Sequence, residues 1–169
     1  SGPLDGQIVT IPTVTFEWKG NRDVSAFSFQ LNSGIWSTWS SSTSATYDYL
    51  DEGEYHFAVR SMHRNGTTIE NSYPTIKFDI DAVKGPSVMC MPRQKIVSVG
   101  DMFDYAIKAE EVLNLFAAKL TLTYDQTRIR IDSIQIGQFL DGNGGNSLLF
   151  TTIDNNVGNV VINAVIVGR

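Results

Sequence analysis

The sequence predicts an all-β chain, and three observations carry that prediction. Apolar and polar residues alternate with a period of two along most of the length, as in Val14-Thr15-Phe16-Glu17-Trp18, the pattern of strands with one face buried. Turn formers interrupt the alternation at short intervals, at Asn32-Ser33-Gly34 and at Arg64-Asn65-Gly66-Thr67 among others. The 169 residues are 42% hydrophobic and 11% aromatic but only 18% charged, enough apolar surface to build cores beneath a polar, weakly charged exterior.

Taken in order, Val14, Phe16 and Trp18 share one face of a strand, with Thr13, Thr15 and Glu17 on the other. Phe27, Phe29 and Leu31 line up in the next, which ends at the Asn32-Ser33-Gly34 turn. Trp36 and Trp39 follow in a Ser/Thr-rich stretch, and Ala45 to Leu50 gives a further strand. Residues 54–62 place Tyr55, Phe57 and Val59 inward and His56 outward, and stop at the Asn-Gly hairpin signal. A last strand of this half runs from Tyr73 to Ile80. About seven short strands in roughly 80 residues predict a two-sheet sandwich.

Leu50-Asp51-Glu52-Gly53-Glu54-Tyr55 has the Leu-x-x-Gly-x-Tyr spacing of a tyrosine corner, in which the phenol bonds back to the chain and pins a Greek-key connection. With Phe57-Ala58-Val59-Arg60 and the turn at Gly66, residues 8–82 resemble a fibronectin type III domain of the kind found in bacterial surface and sensor proteins. Glu52 stands where that corner usually has proline. Trp36-Ser37-Thr38-Trp39-Ser40 also spells the WSxWS string of cytokine receptors. Here it precedes the corner instead of following it, so no kinship is read from it. The two tryptophans are expected as core and hairpin residues. Trp36, Trp39 and Tyr47 form the alternative, an aromatic platform for stacking on a sugar.

Asp81 to Ser87 reads as a linker, because Gly85-Pro86 breaks any strand. The predicted modules are therefore residues 1–84 and 85–169. Beyond Pro92, Ile96 to Val99 predicts a strand, Gly100-Asp101 a turn, and the residues through Ile107 another strand. Ala109 to Leu120 is rich in helix formers. Yet Leu120, Leu122 and Tyr124 alternate with Lys119, Thr121 and Thr123, so Leu115 to Tyr124 is expected as a strand. Ile129 to Ile136 and Leu148 to Thr151 follow as strands, then a turn at Asp154-Asn155-Asn156 and a strand from Val160 to Ala164.

That series (a Val-Gly-Asp turn, a strand ending in Tyr-Asp, an Ile-x-Ile run, a Gly-x-Phe-Leu) looks like the first part of a cohesin domain, the jelly-roll module of cellulosome scaffoldins and bacterial surface proteins. It covers residues 94–168 and stops short of the strands that close both cohesin sheets. The chain is therefore expected to be a fragment, to be completed by another segment, or to swap strands with a second copy. The resemblance implies a protein partner, such as a dockerin or a surface protein. Its partner-binding residues would be Lys119, Thr121 and Thr123, with Ala117 at the start of the strand. Cellulosomal examples often carry Asn and Asp at the equivalents of Ala117 and Lys119, so dockerin recognition does not carry over directly.

Several functions are disfavoured by what is present. The net charge is −5, and neither half carries the basic stripe that a phosphate backbone requires, so no nucleic acid is expected as a partner. No apolar run is long enough to span a membrane. Ser1-Gly2-Pro3 lacks the features of a targeting signal, so a mature or trimmed chain is expected. The single Cys90 allows no internal disulfide and no Cys-x-x-Cys metal site. With two histidines and no phosphate loop, HExxH or GxSxG motif, no enzyme activity and no cofactor are expected. Asp141-Gly142-Asn143-Gly144-Gly145-Asn146 opens like a calcium loop, but Thr152 occupies the position of the bidentate glutamate, so a hairpin tip is the expectation and no metal is predicted. The sequence reading is thus an extracellular or cell-surface, non-catalytic assembly module. Polysaccharide binding as an accessory to a degrading enzyme is the alternative.

Overall fold

The computed structural model describes residues 1–67, 69, 70, 72–137 and 146–167. Within these the protein is all-β: eleven strands and no helix. The chain divides into two compact units, Ser1–Glu110 and Glu111–Arg169.

In the first unit, β1 (Gln7–Val9), β3 (Val24–Leu31), β5 (Gly53–His63) and β6 (Thr75–Ile80) form a four-stranded sheet of order β1-β6-β5-β3. A second sheet pairs β2 (Val14–Glu17) with β4 (Ser44–Tyr47). The alternation of β2 is realised as read, with Val14 and Phe16 buried and Thr15 and Glu17 exposed. Phe16 stacks on Phe57 of β5 at 3.8 Å between ring centroids and 6° between planes. Around that pair pack Val14, Leu50, Phe78 and Ile80, with Trp18, Phe29 and Tyr55 at the margin. Sandwich-like packing of the two sheets follows from this shared aromatic core, since each sheet alone would leave its apolar face in water.

The turn after β3 places both Asn32 and Ser33 at positive φ, 51° and 54°, and Gly34 donates its N–H to the Leu31 carbonyl at 3.0 Å. Two consecutive left-handed residues match the twist of a hairpin. The hydroxyl bond expected of the corner is present, on a half-buried ring. Tyr55 donates its hydroxyl to the Asp51 carbonyl at 3.1 Å, and its ring stacks on Phe78 at 5.6 Å.

The segment after the first core departs from the sequence reading. Strand β7 (Ser87–Met91) begins directly after Gly85-Pro86 and pairs antiparallel with β8 (Ala106–Glu110). The strand expected at Ile96 to Val99 is absent. Ile96 is 90% exposed and Val99 fully so, while the Asp101 carboxylate accepts the Ser98 N–H at 2.8 Å and closes a turn. A side chain that satisfies a backbone donor locally removes the need for a ladder partner.

In the second unit, β9 (Ala117–Thr123), β10 (Asn146–Asp154) and β11 (Asn159–Val167) form a three-stranded antiparallel sheet of order β10-β11-β9. The stretch rich in helix formers holds no helix. Glu111 and Asn114 sit at positive φ, 52° and 58°, a conformation incompatible with helix propagation, and β9 starts three residues later. The strand expected over Ile129 to Ile136 does not form. Asn155 instead accepts the Ile131 N–H at 3.0 Å and donates its amide to the Ile131 carbonyl at 3.0 Å. One side chain thus supplies the pair of bonds that a neighbouring strand would otherwise give. Tyr124 donates its hydroxyl to the same Asn155 oxygen at 2.6 Å.

Candidate functional site

The predicted partner-binding residues lie on one face of the three-stranded sheet, and the register defines the surface around them. Cross-strand partners share a face in an antiparallel sheet. The rows therefore read Leu148–Val165–Ala117, Phe150–Asn163–Lys119, Thr152–Val161–Thr121 and Asp154–Asn159–Thr123. Lys119, Thr121 and Thr123 are all exposed. The other face holds Leu149, Ala164 and Ala118, then Thr151, Ile162 and Leu120, then Ile153, Val160 and Leu122. Of these Val160, Ile162 and Ala164 are buried.

Leu148 is 47% and Phe150 60% exposed beside the predicted residues. Alternation makes them readable in hindsight, because three consecutive apolar residues, Leu148-Leu149-Phe150, must send two to the face opposite Leu149. Lys119 and Asp154 are the charges among the described residues of this face. The surface is mostly uncharged and part apolar, with hydroxyls along one margin. No described strand pairs with the outer edge of β10 or of β9. The Asp141 to Asn146 loop, apart from the backbone of Asn146, lies outside the described residues, as does the Phe139-Leu140 dipeptide.

The alternative aromatic set divides between two places. Trp36 and Trp39 come together on the face of β5 opposite the core, flanking Arg60, whose guanidinium carbon lies 4.1 Å from the Trp36 ring centre and 5.0 Å from that of Trp39. Neither tryptophan joins the aromatic core. Tyr73 meets Trp36 edge-on at 5.1 Å. Tyr47 sits on the core side, edge-on to Phe16 at 6.4 Å and to Phe57 at 6.2 Å, and burial raises its phenol above the ordinary tyrosine range.

Backbone bonding explains why the tryptophan segment lies there. Ser37 donates to the Phe29 carbonyl, Phe27 donates to the Ser40 carbonyl and Ser40 donates back, so residues 37–40 run along the outer edge of β3. The Ser28 hydroxyl, wholly buried, donates to the Ser37 carbonyl at 2.8 Å. Nothing in the local sequence announces Arg60 as part of this group. It stands more than 20 residues from either tryptophan, and only the pairing of Ser28 with Arg60 brings it beneath them.

Two further polar groups accompany the tyrosine corner. Glu52 accepts the Ala82 N–H at 2.9 Å and pairs with the Arg93 guanidinium, while Asp51 accepts the Arg93 N–H at 2.6 Å. Glu52 thus ties the chain after β6 to the corner. On the exposed side of β5, Glu54 bridges Lys77 at 2.5 Å and His56 at 2.8 Å. The Lys77 hydrogen bond first, and that of His56 second, hold the Glu54 carboxyl below its ordinary range. His56 is therefore an outward strand residue with a carboxylate neighbour.

Cys90 is exposed on β7. Among the described residues, no group of three or more His, Cys, Asp or Glu could hold a metal ion, and no helix is long and apolar enough to cross a membrane. Comparison with protein-family models, curated proteins and solved structures finds no match to this chain.

Proposed function

We propose that the chain is a non-catalytic extracellular assembly module, docking a protein partner at a bacterial or archaeal cell surface through the outward face of β9, β10 and β11. The observation that carries this reading is the exposure of Leu148 and Phe150 on the same face as Lys119, Thr121 and Thr123. Exposed apolar side chains rimmed by uncharged polar groups are the composition of a docking surface. The fibronectin type III and cohesin resemblances support it. The first has the Tyr55–Asp51 bond behind it. The second has a strand leading into Tyr124-Asp125, with Lys119, Thr121 and Thr123 turned outward.

The outer edges of β9 and β10 would accept an added strand, from a complementing segment or from a second copy. The partner is a dockerin-like or surface protein. The test is capture of one defined secreted protein by the immobilised full chain, repeated with Phe150→Asp and Lys119→Glu. Both variants are expected to lose at least about tenfold in affinity while their circular dichroism stays unchanged. Undiminished capture by both variants would remove the face from consideration.

A further inference from the structure

Arg60 is a half-buried cation whose bonding is incomplete. Whereas the similarly half-buried Arg93 meets Glu52, no described carboxylate lies within salt-bridge distance of Arg60. Its Nε is buried without a hydrogen-bond partner. The faces of Trp36 and Trp39 attract the charge, but a ring face supplies no oxygen to five N–H donors. A buried N–H left without an acceptor costs stability, and an anion on the guanidinium would supply one.

We propose that Trp36, Arg60 and Trp39 form a binding site for acidic carbohydrate, a polysaccharide bearing uronate carboxylates. A carboxylate matches the planar fork of the guanidinium with two parallel N–H···O bonds. The half-buried indoles, with Tyr73 at 37% exposure against Trp36, offer apolar surface to the C–H face of a pyranose ring. An acidic peptide is the less suitable occupant. A peptide that bound by adding a strand would find the adjacent edge of β3 already paired with residues 37–40. The chain's net charge of −5 repels polyanions in general, so retention on one of them requires a local cationic site. This site is separate from the protein-docking face of the second unit, and it narrows the expected polysaccharide to an acidic one read by Arg60 in place of Tyr47.

Affinity electrophoresis of the full chain in gels containing polygalacturonate, dextran or poly-L-glutamate tests the proposal. Retardation is expected in polygalacturonate alone. Arg60→Gln and Trp39→Ala should each weaken it about tenfold or more. Arg60→Lys keeps a cation between the indoles but removes the fork, and should weaken it as well. If Arg60→Gln lowers the melting transition, the lysine variant carries the comparison. No retardation in polygalacturonate, equal retardation in dextran, or full retention by Arg60→Lys overturns the proposal. Equal retardation in poly-L-glutamate overturns the carbohydrate class in favour of an anionic peptide.

Discussion

Tyr55 ties its hydroxyl to the Asp51 carbonyl four residues upstream, and the consequences can be measured on one side chain. Tyr55→Phe keeps the stacking on Phe78 and removes the bond, so a loss of about 1 kcal/mol in denaturant unfolding is expected; an unchanged midpoint would show that the bond contributes nothing. Burial raises both Tyr55 and Tyr47 above the ordinary tyrosine range. The folded state therefore favours the protonated phenols. The resulting stability is fully present below the unfolded-state pKa and is lost as pH rises through the raised folded values. Alkaline unfolding followed by tyrosinate absorbance should begin only above the ordinary range, and Tyr47→Phe should move it upward. The corner was legible because its bond spans a fixed, local spacing. The Arg60 group was not, because its members meet only after β3 and β5 pair, and no short window of sequence contains them together.

Elements were legible where alternation runs against a buried face, and not where a side chain substitutes for a strand. β2 and β9 show the first case: Phe16 and Leu122 each turn toward apolar neighbours, as period two requires. Ile129 to Ile136 shows the second. Its pattern is that of a strand, but Asn155 takes both polar groups of Ile131, and an asparagine in a turn gives no sign in sequence of which distant amide it will meet. β7 was hidden differently, since a Gly-Pro pair that ends one element can equally begin the next. Asn155→Ala leaves the Tyr124 hydroxyl and the Ile131 amide without their partner, a cost of about 1–3 kcal/mol. Hydrogen exchange at Ile131 should accelerate accordingly. Unaltered protection there would mean that Asn155 is not what holds the segment.

At the scale of the molecule the two units differ in how much apolar surface they bury. The first encloses Val14, Phe16, Leu50, Phe57, Phe78 and Ile80 in one cluster, while the buried apolar residues of the second, among those described, are Val160, Ile162 and Ala164. With burial contributing about 25 cal/mol per Å², the amides of β9, β10 and β11 should lose protection at lower denaturant than those of β3 and β5. Mass-resolved hydrogen exchange reads this directly, and the opposite order would contradict it. The sheets also differ under tension. β1 runs parallel to β6, with Gln7 beside Phe78 and Val9 beside Ile80, and the ladder is prolonged by Gly6 donating to Lys77 and Asp81 donating to Val9. A pull on the start of β1 against the end of β6 slides the strands along each other, so all of these bonds share the load at once. β10 and β11 are joined by a turn, with Asn146 opposite Val167 at the open end, and a pull on those two residues opens the pairs one at a time. Pulled at those residues, the β10–β11 hairpin would part at lower force than the short parallel ladder pulled at its ends, whose resistance is a rate of rupture rather than an equilibrium stability.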